Sequence, residues 1–353
     1  MRPLTLACSL LAATGCEAFV HAPDTELLVE VMSVEHRDAD SQAAGSTTLH
    51  EVARCDASAF APEWSVQVDG EAALAVGWNP GSELIVGTTD GRVEVIPFGV
   101  DGPARSAHTL RVPGLSALAT APRVALTGDQ TGRVQLWDVA SGALIGAVGL
   151  GNDPVVAVAL SETSQRAAAV AQDGAVVVWT TETGHGRSAY SALDTVVTIA
   201  LVGDYVALGG SVDGRAALEL RDVSSLSRAD VSWVGAEGVD GAITSILPTS
   251  SGLLALGVAG DRGTLLTLSE RDGWAVSGER TWSEAEPVQA VALPDGARAV
   301  VLDSEGALRF LGLDDLRERD VVETSEGMGF GYDPLRGTFA IAQPSGALAG
   351  FGC

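Results

Sequence analysis

An all-β ring of seven four-stranded antiparallel blades is the architecture that three observations in this sequence predict. The first is a unit that recurs. The stretch VALTGDQTGRVQLWDVASGALIG (124–146) holds an apolar run, a turn around Gly132, an alternating run from Arg133 to Trp137, then Asp138 and a Ser-Gly turn. Such a pattern is two strands of a meander and the start of a third. The second observation is spacing. Turn glycines stand before the alternating runs at Gly91, Gly132, Gly174, Gly214, Gly263, Gly306 and Gly346, separated by 41, 42, 40, 49, 43 and 40 residues. A period of about 40–45 residues with four strands per unit is the signature of a β-propeller blade, and seven glycines predict seven blades. The third is a short apolar run ahead of each hairpin, alternating small with large residues as crowding near a central axis demands.

Those runs, 73–78, 115–120, 155–160, 196–202, 243–247, 288–293 and 328–332, are expected to be the innermost strands. Second strands are expected at 84–87, 124–127, 167–171, 206–209, 253–257, 297–302 and 339–342, with third strands after the glycines. Asp90, Asp173 and Asp213 directly precede their glycines. Asp-Gly favours a tight hairpin with positive φ, so these carboxylates read as turn formers rather than catalysts. The 49-residue gap between Gly214 and Gly263 is expected to be absorbed by a longer loop or extended strands within 220–241, not by an eighth blade. The last repeat stops after a third strand at 347–351, and a spare strand, Trp64 to Val68, precedes the first repeat. Pairing the two completes the seventh blade from both termini and covers an open edge.

Composition narrows the function classes. The formal charge is −25, and the sequence contains no Lys. No basic face for nucleic acid is therefore expected. No apolar run reaches eighteen residues without a charge or a turn residue.

The N-terminus, MRPLTLACSLLAATGC, carries one basic residue and an apolar run from Leu4 to Ala13, too short to cross a bilayer as a helix. It reads as an export signal over residues 1–15. Ala13-Thr14-Gly15-Cys16 resembles a bacterial lipobox, although Ala13 stands where that motif usually has Leu. The resemblance implies an acylated Cys16 at the mature N-terminus and a bacterial envelope location; soluble secretion is the alternative. Residues 16–62 break the period and read as a tether, with a possible short strand at 27–32. Its histidines His21, His36 and His50 are spaced too widely for a compact ligand set, so no metal site is expected there. The domain that follows is expected to span 63–353. With Cys8 removed and Cys16 acylated, Cys55 and Cys353 are the remaining cysteines. The expected strand pairing brings their neighbourhoods together, so an exported chain is expected to carry a Cys55–Cys353 disulfide.

Leu136-Trp137-Asp138, with Gly132 five residues before the Trp, resembles the end of a WD40 repeat. Trp179 takes the same position one repeat later, whereas Ile96 and Leu311 replace it elsewhere. The resemblance covers about 64–353 and is degenerate. In that family a His, a Ser or Thr, an Asp and the Trp form a buried hydrogen-bond network; here Asp173 and Trp179 match two members, and no His precedes Val155. Stability is expected to rest on apolar packing between blades.

Local catalytic motifs are missing from the sequence: no Gly-Lys-Ser phosphate loop, no Cys-x-x-Cys and no HExxH. His108 and His185 are expected on outer strands or the turns leading to them, and Asn79, Asn152, Asp153, Asp204 and Asp333 read as turn residues. Two functions of different class fit. One is a non-catalytic scaffold, expected to be a monomeric propeller, that binds another protein, touches a membrane only through its lipid, and needs no cofactor. The other is an enzyme or small-ligand binder using the central channel, as lactonase-like and quinoprotein-like propellers do. Fold alone does not choose between them; the scaffold is the primary expectation.

Overall fold

A computed structural model gives the fold. It describes residues 61–352 except 69–72, 80–82, 100–101, 104–106, 122, 162, 234–240, 250–251, 260–261, 270–273, 283–286, 294–296, 325–328, 334–337, 344 and 346. Cys16, Cys55, Cys353, Gly346 and the 27–32 run lie outside the described residues.

The chain opens with β1 (Ala61–Gln67) and then builds six blades in sequence. Blade one is β2 (Ala73–Asn79), β3 (Glu83–Thr88) and β4 (Arg92–Gly99), with β5 (Gly102–Pro103) and β6 (His108–Arg111) both pairing with β4. Blade two is β7 (Leu115–Ala121), β8 (Val124–Asp129), β9 (Arg133–Asp138) and β10 (Leu144–Gly149). Blade three is β11 (Val155–Leu160), β12 (Arg166–Ala171), β13 (Ala175–Thr180) and β14 (Gly186–Tyr190). Blade four is β15 (Thr195–Val202), β16 (Tyr205–Val212), β17 (Arg215–Asp222) and β18 (Arg228–Trp233). Blade five is β19 (Ala242–Thr249), β20 (Gly252–Ala259), β21 (Arg262–Ser269) and β22 (Ala275–Trp282). Blade six is β23 (Pro287–Ala292), β24 (Arg298–Asp303), β25 (Ala307–Gly312) and β26 (Glu318–Glu323). Blade seven combines β27 (Gly329–Asp333), β28 (Thr338–Ala342) and β29 (Ala347–Gly352) with β1 as its outer strand. The first strands β2, β7, β11, β15, β19, β23 and β27 each touch the next around a closed circle. The molecule is a seven-bladed β-propeller, and the described residues contain no helix.

Turn chemistry explains why the period was visible. Four blades join their second and third strands through three residues ending in glycine, with Gly91, Gly132, Gly174 and Gly306 at φ of 80°, 80°, 85° and 87°. Their N–H groups donate back to Thr88, Asp129, Ala171 and Asp303. Blade four uses a two-residue turn in which Asp213 and Gly214 both have positive φ, the twist a tight hairpin requires. A side chain at Gly91 would also strike the Val112 carbonyl. Gly263 is a correction. It is not a turn residue but lies inside β21, opposite Val258 and Trp282. The blade-five strands are eight residues long, with Ala259 opposite Arg262, so β21 already begins one residue before Gly263. Part of the 49-residue gap thereby disappears, and blades four and five take up the remainder in longer strands and the 234–241 connection.

Among the described residues the buried apolar side chains form seven clusters, and each joins two consecutive blades. Ile85, Val93 and Leu110 of blade one meet Leu115 and Ala125 of blade two. Leu293, Val300 and Phe310 of blade six meet Phe330, Phe339 and Phe351 of blade seven. Small residues let the blades approach: the inner residues Leu115, Val155 and Ile243 press onto Gly87, Gly128 and Gly209 of the preceding blade.

Ring closure follows the expected topology with slightly shifted ends, β1 at 61–67 and β29 at 347–352. Trp64 lies opposite Gly350 and Gln67 opposite Ala347. The Trp64 indole covers Gly350 so closely that a Cβ there would fall inside the ring. Its other edge meets Phe98 of blade one, with centroids 5.1 Å apart at 63°. One side chain thus joins the last blade to the first.

Gly350→Val is expected to expel Trp64 and cost about 1–3 kcal/mol of overpacking, whereas Trp64→Ala removes the seam contact and costs about 3–5 kcal/mol. Equilibrium urea denaturation measures both. A Gly350→Val midpoint equal to that of wild type would contradict the closure described.

Candidate functional site

Strand direction divides the connections between two faces. Turns between second and third strands, and the links from one blade to the next, emerge on one face, here the glycine face. Turns between first and second strands, and between third and fourth, emerge on the other. Because β1 is antiparallel to β29 and Ala61 pairs with Gly352, both ends of the described chain lie on this second, terminal face.

At the glycine-face end of the inner strands a β-bulge recurs in blades one to six. Register shifts by one residue after Ala73, Leu115, Val155, Val196, Ile243 and Pro287. Bulges re-aim side chains and sharpen twist. In blade two the bulged Ser116 donates to the Val155 carbonyl of blade three at 2.6 Å and to Gly128 at 3.2 Å. In blade six Gln289, one residue past the bulge, accepts from the Phe330 N–H of blade seven at 2.9 Å. Polar groups at this mouth therefore tie blades together.

The carboxylates behave as turn groups. Asp129 Oδ1 accepts from the Thr131 N–H and hydroxyl and from the Arg133 N–H, at 2.8, 2.7 and 3.1 Å. Asp173 Oδ1 accepts from Ala175, and Asp90 pairs with Arg92 at 2.8 Å. Asp138 begins the turn after β9 and accepts from the Ser141 N–H and hydroxyl. The Ser224 and Ser225 hydroxyls hold the Asp222 carboxyl below its ordinary value of 3.8. Since the folded value is the lower one, this turn keeps its contribution above the unfolded value and loses it as pH falls through the folded one.

The other candidates stay apart. His108 sits on the outer strand β6 opposite Val95, and His185 is in the turn before β14. Asn152 and Asp153 are exposed in the link from blade two to three. Asp204, on the terminal face, pairs with Arg166 at 3.2 Å. Asn79 and Asp333 end β2 and β27. The Trp137 indole N–H donates to Thr127 at 2.9 Å in blade two, a bond that Trp179, matched in sequence together with Asp173, does not repeat in blade three. There the matching strand position is Ala169, with no acceptor, and Trp179 is simply buried.

Two buried ionic ties were not foreseen. Glu219 on β17 is wholly buried; it accepts from the Ser191 hydroxyl at 2.6 Å and the Ala192 N–H at 2.8 Å, and binds Arg221. Arg221 donates onward to the Tyr190 carbonyl of blade three and to Leu226. Between blades five and six, Arg309 bridges buried Asp303 at 2.8 Å and Glu318 at 3.2 Å, while Arg280 donates to the Leu316 carbonyl. A small pocket there, lined by Arg280, Val301, Arg309, Leu311 and Glu318, belongs to this tie. Among the described residues no three His, Cys, Asp or Glu side chains stand close enough to share a metal ion.

No protein-family model and no curated protein matches the chain.

Glu219→Leu leaves the Arg221 charge buried without its carboxylate and should cost about 3–5 kcal/mol. Adding Arg221→Met should recover part of that loss. Thermal unfolding of the two variants decides it, and equal melting temperatures for Glu219→Leu and wild type would rule the tie out. NMR titration of Asp222 should give a midpoint below 3.8.

Proposed function

We propose that this chain is a non-catalytic, WD40-like scaffold, held at a bacterial envelope through an acylated Cys16 and binding another protein through its loop faces. The observation that carries the reading is what the polar side chains near the channel and in the turns are engaged in. Ser116, Gln289, Asp129, Asp173, Glu219 and Asp303 each hold a turn or join two blades. Polar groups committed to bracing leave the exposed connections as the surface free to vary, and propellers that bind proteins use such connections. The Trp137–Thr127 bond and the Gly132 turn support the WD40-like assignment at blade two.

Anchoring supports the same reading. Several acyl chains on one N-terminus give stable membrane attachment. Residues 17–60 supply length for standing off a surface, since an extended chain covers about 3.3 Å per residue. The Ala61–Gly352 pair supports a Cys55–Cys353 disulfide, because only five residues separate Cys55 from Ala61 and Cys353 follows Gly352 directly. In the chain-entropy picture such a bond, closing a very long loop, adds on the order of 5 kcal/mol.

Cys16→Ser should move the protein from the membrane to the soluble fraction; a wild-type protein already soluble in its cells would defeat the anchoring proposal. Thiol titration of the unfolded, unreduced chain should find neither Cys55 nor Cys353 free, and two free thiols would reject the disulfide. Photo-cross-linking in intact cells, from Gln172 on the glycine face and Ser224 on the terminal face, should give a discrete adduct with a second protein. Adducts from neither face would remove the scaffold reading.

A further inference from the structure

The blades end at the rim of the ring in β1, β6, β10, β14, β18, β22 and β26. An outer edge is a row of unpaired N–H and C=O groups that another strand can join, and charged residues or proline on it keep other strands away. Six of these strands carry such residues: Glu63 on β1, Arg111 on β6, Arg187 on β14, Asp230 on β18, Glu279 on β22 and Asp320 on β26. The strand β10, Leu-Ile-Gly-Ala-Val-Gly, has neither a charge nor a proline.

Register shows which backbone groups of β10 are free. The Leu150 N–H donates to the Gly132 carbonyl, and Val148 stands opposite Val134. Bonded positions alternate along an antiparallel ladder, so Gly146, Val148 and Leu150 turn their backbone groups to β9, whereas Ala147 and Gly149 turn theirs outward. The bulge between Leu144 and Gly146 bends the start of the strand, and from Gly146 to Gly149 the pairing with β9 is regular. Val148 and Leu150 pack into the seam with blade three, while no atom lies within 4 Å of where a Gly149 Cβ would stand. The edge of blade two is therefore regular, uncharged and unobstructed where its backbone groups point outward.

We infer that two copies of this chain join at β10, edge to edge about a two-fold axis, so that blade two of one continues into blade two of the other. A monomer is the expectation from sequence, and at −25 per copy most of the surface repels its like. Self-pairing needs an edge that sets no like charges opposite each other, and β10 is the outer strand that meets this requirement. Its two ends also attract. Arg133, opposite Gly149, is exposed, and among the described residues no carboxylate pairs with it; Asp138 stands at the other end, where its N–H closes the turn into β10 on the Ala143 carbonyl. A two-fold axis reverses the strand, so the Arg133 end of each copy lies beside the Asp138 end of the other, and the complementarity occurs twice. With no side chain at Gly149, Arg133 has a clear path across the edge. Setting Ala147 opposite Gly149 of the second copy pairs every outward N–H and C=O of both residues. One strand from each side is a small interface, so the dimer is weak and depends on concentration. It leaves both loop faces open, and it does not rest on the scaffold reading.

Sedimentation equilibrium of the full-length protein in detergent, over a wide range of concentration, measures the monomer–dimer constant. Arg133→Glu should weaken the dimer on the order of tenfold, and Ala147→Lys, which gives β10 the charge that the other edges carry, should weaken it at least as much. Arg187→Glu, the same reversal at an exposed arginine on β14, should change it by less than about twofold. Thermal unfolding checks that each variant folds as wild type does; Arg133 is exposed, so its variant carries the test if Ala147→Lys disturbs blade two. A short bismaleimide should link two copies of the Ala147→Cys chain, since neighbouring positions across an antiparallel pair place their Cβ atoms within about 8 Å, and should not link the Arg187→Cys chain. A wild-type chain that stays monomeric at every concentration overturns the inference, as does a dimer that all three charge variants leave unchanged or weaken equally. Linkage of the Ala147→Cys chain in cells to a different protein, and not to itself, also overturns it and gives the β10 edge to a foreign strand.

Discussion

Each blade of this molecule is stable only because another blade lies against each of its faces. A four-stranded antiparallel sheet has two apolar sides, and here there is no common centre in which to bury them. The seven clusters of buried side chains are seams between consecutive sheets. Removing one contact between first and last blade would expose two sheet faces at once, so closure is the constraint on which the other seams depend. That is why Trp64, reaching from β1 over Gly350 to Phe98, matters more than its place at the edge of a strand suggests.

The seams also show how polar groups are admitted to such packing. Glu219 with Arg221, and Asp303 with Arg309, are buried pairs; the first reaches the Tyr190 carbonyl of blade three, and the second is joined to blade five through Glu318, which lies 3.7 Å from Arg280. A charge pair of this kind adds little net stability compared with apolar residues of similar volume, but its geometry tolerates one arrangement of the two blades. The non-glycine residues at positive φ show a related compromise. Leu226, Trp274 and Leu316 adopt φ of 52°, 63° and 52° in turns toward the outer strands, and each buries its side chain in a seam. Backbone strain is offset there by apolar contact with the preceding blade.

Much of the ring was legible in sequence because its turns are local. Gly91, Gly132, Gly174, Gly214 and Gly306 have positive φ because of their own tight turns, and such a requirement leaves a residue-type imprint at a fixed period. Gly263 broke the pattern because blade five lengthens its strands, so a glycine inside β21 mimicked the signal. The bulges after Leu115 and Val155 left no such imprint, since a bulge is a property of register between two strands and not of either strand alone. Glu219 and Arg221 read as an ordinary alternating pair; that their side face is sealed by blade three depends on residues about thirty positions away. His108, His185 and the scattered loop carboxylates were separated as expected, because outer strands and turns hold them around the rim.

Blade seven brings together the earliest and latest parts of the described chain, and time enters through that fact. The Gln67 side chain donates to the carbonyl of Ser345, 278 residues later. At about 5–20 residues per second, a ribosome that has made β1 needs roughly fifteen to sixty seconds more to deliver its partner. Blades one to six can fold one after another as they emerge, but through that interval β1 waits with an unpaired edge and an uncovered indole. A cell making this protein has to keep one short strand from finding the wrong sheet until β29 has been made.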